Sequence, residues 1–113
     1  MKTISFLLII SLLTLMGCEK IDKDCPDCIL KKTREFIKSQ TCDTGASVSE
    51  WLFQGEQVYM FADGTCGADF GAAVLNQNCE SLGNLGGISG ALTINGINFY
   101  QNATKIKTIW EQD

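Results

Sequence analysis

Six cysteines and no histidine in 113 residues limit the chemistry open to this chain. Cys25 and Cys28 form a C-P-D-C motif at the start of a helical stretch. Exposed backbone N–H groups and the helix dipole stabilise a thiolate at such a position, which raises thiol–disulfide exchange as an activity. No strand precedes the motif, as a βαβ redox unit would require. Without histidine, Ser–His and Cys–His nucleophilic arrangements are excluded, along with the commonest general base and metal ligand. Glu50 with Glu56, or Asp63 with Asp69, offers paired carboxylates for acid–base work, but the sequence supplies no neighbour to perturb them. Asp63-Gly64-Thr65-Cys66-Gly67-Ala68-Asp69 has calcium-binding residue types without the spacing of a twelve-residue calcium loop, so a wide turn is expected. The glycine-rich stretch between Gly83 and Gly90 lacks a preceding strand, a following helix and a phosphate-seeking Lys, and reads as a loop. No catalytic set, metal site or cofactor is expected.

Composition bounds the remaining classes. The chain is 45% hydrophobic and 19% charged, which argues for one folded domain rather than disorder. A net charge of −4 argues against nucleic acid as a partner. The charges are also segregated. No Lys or Arg occurs between Lys38 and Lys105, a gap that holds Asp43, Glu50, Glu56, Asp63, Asp69 and Glu80. Lys31, Lys32, Arg34 and Lys38 cluster on one segment, so a basic helix beside an acidic sheet is expected.

Residues 1–17 read as an export signal, not as part of the fold. Lys2 precedes an apolar run from Ile4 to Leu15, about 18 Å as a helix and too short to span a bilayer. Its ending, Leu15-Met16-Gly17-Cys18, resembles the lipobox of bacterial lipoproteins. That resemblance implies cleavage before Cys18, a thioether-linked diacylglycerol on its sulfur and an acyl chain, such as palmitate, on its amine. Several chains together make such an anchor effectively permanent. Glu19, in place of the Asp of inner-membrane retention signals, implies the outer membrane, with the domain on its periplasmic or cell-surface face. Residues 18–25 then form the lipidated cysteine and a short charged tether. The seven residues from Glu19 to Cys25 reach about 25 Å at most.

The domain proper is expected over 26–113. Pro26 suits a helix start, and Ile29, Leu30, Thr33, Phe36 and Ile37 form one stripe over a helix at 26–39. Val48–Gln54 and Glu56–Ala62 form a hairpin turning at Gln54-Gly55 or Gly55-Glu56. Either turn puts Trp51, Phe53, Val58 and Met60 on one face, and Leu52, Tyr59 and Phe61 on the other. Both faces are apolar, so both must be covered. A second hairpin is expected over Ala91–Ile94 and Ile97–Tyr100 around Asn95-Gly96, with Ile94 opposite Ile97 and Leu92 opposite Phe99. Further strands are expected at Ala72–Leu75 and at Lys105–Trp110, where Ile106 and Trp110 would share a face. The fold class is α+β: one N-terminal helix on an antiparallel sheet of about five or six strands.

This topology prunes the disulfide pairings. Cys28 and Cys42 lie at opposite ends of the helix, about 20 Å apart. The first hairpin returns Cys66 to the end where Cys42 lies, and the next strand carries Cys79 to the other end. The expected bridges are Cys42–Cys66 and Cys28–Cys79, leaving Cys25 unpaired.

Several short patterns resemble a group of small uncharacterised bacterial lipoprotein domains: Cys28-Ile29, the V-Y-x-F of Val58, Tyr59 and Phe61, the C-G-A-D from Cys66 to Asp69, the L-G-G-I-S-G from Leu85 to Gly90, and Ile109-Trp110. They carry fold information and little chemistry. The functional expectation is a cell-envelope lipoprotein, a non-catalytic binding or interaction module for an envelope protein or ligand, joined to the membrane by its lipid. A membrane-tethered thiol–disulfide oxidoreductase using Cys25 and Cys28 is the first alternative. An inhibitor of an envelope-directed hydrolase is the second.

Overall fold

The computed structural model describes residues 20–67 and 70–112. Residues 1–17, expected to be an export signal, lie outside them with Cys18, Glu19 and Asp69. The first helix, α1 (Asp27–Ser39), starts behind Pro26 and carries Asp27 in its first turn and Lys38 in its last, each of the sign that the helix dipole favours. Ile29 and Thr33 are fully buried on its inner stripe. The Thr33 hydroxyl donates to the Ile29 carbonyl at 2.7 Å, so the one buried polar atom of this face is satisfied within the helix.

Five strands make the main sheet: β1 (Ser47–Phe53), β2 (Glu56–Ala62), β3 (Gly71–Leu75), β4 (Ser81–Gly86) and β7 (Ala103–Glu111). Their spatial order is β4-β3-β2-β1-β7, and every pairing is antiparallel. Two short strands, β5 (Thr93–Ile94) and β6 (Ile97–Asn98), form a separate hairpin. The fold is α+β and stapled by two disulfides, as expected.

The β1–β2 hairpin sits inside the sheet with both faces covered. Phe53 pairs with Glu56, which selects Gln54-Gly55 as the turn; both residues have positive φ, 53° and 77°, as a two-residue turn of the primed kind requires. On one face Phe53, Val58 and Met60 join Ala72, Val74, Leu85, Ile94 and Phe99. On the other, Val48, Tyr59 and Phe61 join Ile109, Ile29 and Ile21. Phe36 of α1 sits edge-on to Phe61 and to Trp110, with ring centroids 5.5 and 6.2 Å apart.

Four details differ from the sequence reading. The N-terminal segment is not a free tether: Ile21 is buried against the α1 face of the sheet, and the Asp22 N–H donates to the Ile109 carbonyl at 2.8 Å. The charged residues around Ile21 mask a lone apolar anchor. The glycine-rich stretch is half strand, because Ser81–Gly86 pairs with β3; Gly71 faces Gly86 where a side chain at position 71 would strike the Leu85 carbonyl. The second hairpin stops at Asn98, whose side chain accepts from the Gln101 N–H and starts α2 (Phe99–Asn102), a single helical turn. Ile94 still faces Ile97, and the Leu92–Phe99 relation survives as one bond from the Phe99 N–H to the Leu92 carbonyl. In β7, two register shifts against β1 leave Ile106 half exposed and turn Ile109 into the core beside Trp110.

The bridges are Cys28–Cys79 and Cys42–Cys66, with Cα atoms 6.1 and 5.6 Å apart. One ties the start of α1 to the β3–β4 turn; the other ties the segment after α1 to the segment after β2. Cys79 holds a left-handed backbone, φ 64°, a conformation costly for a residue with a side chain unless its surroundings enforce it. The bridges close 51 and 24 residues. Removing Cys28–Cys79 by paired Ala substitutions should therefore cost about 4 kcal/mol, and removing Cys42–Cys66 about 3.5 kcal/mol. Urea unfolding of the two double variants checks the ranking.

Candidate functional site

Three strands bring a polar row onto the otherwise apolar face that α1 covers. Cross-strand register sets Tyr59 of β2 opposite Glu50 of β1, and Glu50 opposite Lys107 of β7. Strand alternation puts Glu50 on the same face as Val48, so its side chain is buried, with 6% exposure. Tyr59 is 1% exposed and hydrogen-bonds to the Glu50 carboxylate.

The N-terminal segment closes the row from the β7 side. Lys107 Nζ donates to the Asp24 carbonyl, 2.6 Å away, and lies 3.2 Å from the Asp22 carboxylate and 3.8 Å from that of Asp24. The Asp24 N–H donates to Asp22 Oδ1 at 2.9 Å. A cavity of about 300 Å³ opens among Asp24, Cys25, Pro26, Glu50, Gln57, Tyr59, Gln77 and Lys107. Gln77 Nε2 donates to Gln57 Oε1 at 2.8 Å on the wall it shares with a second cavity of about 570 Å³. That second cavity is lined by the amides of Gln57, Asn76, Gln77 and Asn78, by Glu56 and by the half-exposed Leu52.

The electrostatics follow from this packing. Burial, then the negative charge and the hydrogen bond of Glu50, push the Tyr59 hydroxyl up to about 12. The Asp24 N–H and the Lys107 ammonium hold Asp22 below its ordinary value. Burial works against the charge on Lys107, but Asp22, Asp24 and Glu50 outweigh it and leave its pKa raised. Burial pushes the Cys25 thiol up, Lys107 opposes this, and Asp22, Glu50 and Asp24 add to the rise.

That direction bears on the redox alternative. The reactive species in exchange is the thiolate, and this surrounding favours the thiol. Cys28 meanwhile is bonded to Cys79, and Cys25 is the free cysteine among the described residues. The Glu50–Glu56 pair is not assembled, and the Asp63–Asp69 pair reaches outside the described residues. Strand alternation puts Glu56 on the face opposite Glu50, and Asp63 is exposed in the turn after β2. No group of three or more potential metal ligands occurs among the described residues. No described helix is long and apolar enough to cross a membrane; the run from Ile4 to Leu15 lies outside them.

The row itself went unread in the sequence, although part of its signal was there. Glu50 interrupts the apolar alternation of Val48, Leu52, Tyr59 and Phe61, which marks a carboxylate turned inward. Lys107 could not be matched to Glu50, because the shifts in β7 erase its periodicity.

A family model described as a domain of unknown function (DUF6970) matches residues 34–112. The chain belongs to the DUF6970 family. The match contains Glu50, Tyr59, Lys107 and the Cys42–Cys66 bridge, and it leaves Asp22, Cys25 and Cys28 outside. In this DUF6970 chain, the polar row is thus built within the family domain and closed by residues that precede it. No curated protein and no solved structure matches the chain.

Two tests address the row. Tyr59→Phe removes the donor to a buried carboxylate and should destabilise the fold by about 1–3 kcal/mol. The raised Tyr59 pKa favours the neutral phenol in the folded state. Its contribution is therefore complete below the unfolded value of 10.0 and lost as pH rises through about 12. Phenolate absorbance should show one tyrosine ionising near 12 in the wild type, and Tyr59→Phe should remove it. Ionisation of Tyr59 near its ordinary value of 10.0 would contradict the buried row.

Proposed function

We propose that this chain is a cell-envelope lipoprotein that acts as a non-catalytic binding module held against the outer membrane. One observation carries the reading: Ile21 and Asp22 are packed into the fold. If Cys18 is the acylated first residue, only Cys18, Glu19 and Lys20 separate the lipid from the docked chain, at most about 10 Å. A domain so placed works at the membrane surface and takes its ligand there. The raised pKa of Cys25 and the bonded state of Cys28 favour this over thiol–disulfide exchange. The cavity beside Glu50 is the place for a small polar ligand.

The test is expression of the whole chain with its leader in a Gram-negative host. The protein should incorporate palmitate and fractionate with the outer membrane, and Cys18→Ser should abolish the labelling. Crosslinking in intact cells should then capture envelope components near the membrane. An unacylated protein in the soluble fraction, or rapid insulin reduction that Cys25→Ser abolishes, would overturn the reading.

A further inference from the structure

The proposal above leaves open which way the domain faces. The N-terminal segment runs antiparallel to β7, since Asp24 lies level with Lys107 and Asp22 level with Ile109. Lys20 is therefore directed toward the level of Glu111, at one end of the sheet. Register carries that end across all five strands: Glu111 faces Ser47, Ser47 faces Ala62, Ala62 faces Ala72, and Ala72 faces Leu85.

The far corner of the same end is apolar. Gly71 pairs with Gly86, so Phe70 and the turn after Gly86 lie side by side. Ile88, at the tip of that turn, is 86% exposed, and Phe70 is 41% exposed. The turn is held by the Gly90 N–H donating to the Gly87 carbonyl. An Ile presented on a tight turn is a costly surface in water and a good one in lipid. Four interstrand spacings, about 19 Å, separate this corner from β7. Asp43, Asp63 and Glu111 are exposed around the same end, which disfavours a strongly anionic surface.

We propose that this end of the sheet rests on a zwitterionic lipid surface, with Ile88 and Phe70 entering the headgroup region as a second contact point opposite the acylated Cys18. The inference rests on the lipoprotein reading and deepens it. Two contacts across the sheet end fix the domain upright. The Gln54-Gly55 turn and the cavities beside Glu50 and Leu52 then face away from the bilayer, open to a partner.

The experiment uses the full-length acylated protein in phosphatidylcholine vesicles containing lipids brominated on their acyl chains. Ile88→Trp is compared with Leu52→Trp, an exposed site at the other end of the sheet, after subtracting the parent signal of Trp51 and Trp110. The indole introduced at Ile88 should be quenched by bromolipid about twofold more than the one at Leu52, since a side chain in the interface lies within roughly 5–10 Å of the acyl boundary. Phe70→Trp should repeat the result. An acylated protein whose Ile88→Trp indole is quenched by aqueous iodide, and no more by bromolipid than Leu52→Trp, overturns the orientation alone. A protein whose mass shows no acyl chains overturns the anchor and the orientation together.

Discussion

The β1–β2 hairpin has two apolar faces, and the rest of the structure is arranged to cover both. A strand pair whose side chains are apolar above and below cannot lie at a solvated surface. One face is closed by the β5–β6 hairpin and the turn of α2, which bring Ile94 and Phe99 over Val58 and Met60. The other is closed by α1, with Ile29 and Phe36, and by Ile21 of the N-terminal segment. The helix reaches the end of β7 through Phe36, which sits edge-on to Trp110. Ile21 fills the remaining strip beside Ile109, and the Lys107 ammonium holds the segment down through Asp22 and Asp24.

That division of labour also explains the polar row. Where α1 begins, its apolar stripe has not yet started, and the space beneath is lined by Glu50, Tyr59 and Cys25. A buried carboxylate is tolerated when it is hydrogen-bonded and set near a cation. Tyr59 and Lys107 meet both conditions from the neighbouring strands. The same cation organises the N-terminal segment, so the electrostatics of the cavity and the attachment of the chain's beginning are one network.

Much of the fold was legible in the sequence because its signals were local. Asn95-Gly96 specifies a two-residue turn, Gly55 marks another to within one residue, Pro26 marks the start of α1, and the two-faced hairpin implies cover on both sides. The disulfide pairing followed from the direction of successive strands. What escaped has a physical reason in each case. Gly83 and Gly86 have positive φ and resemble loop residues, yet they sit in an edge strand where the twist and the close approach of Gly71 suit glycine. Asn98 caps a helical turn inside what alternation presents as a strand. Ile21 is a single apolar residue among charges, and no periodicity can flag one anchor. Glu50 was visible as a carboxylate but not as half of a cross-strand pair, because its partner Lys107 lies between two register shifts of β7.

The docked N-terminal segment is the feature on which both the cavity and the proposed membrane orientation depend. Hydrogen exchange at the Asp22 amide, followed by NMR in the folded domain, tests it most directly. Bonded to the Ile109 carbonyl beside a buried Ile21, that amide should exchange at a rate comparable to the core amides of β1 and β2. Exchange at the rate of an unstructured peptide would mean that the segment is a loose leash, and would contradict both the closed cavity and the proposed short link to the membrane.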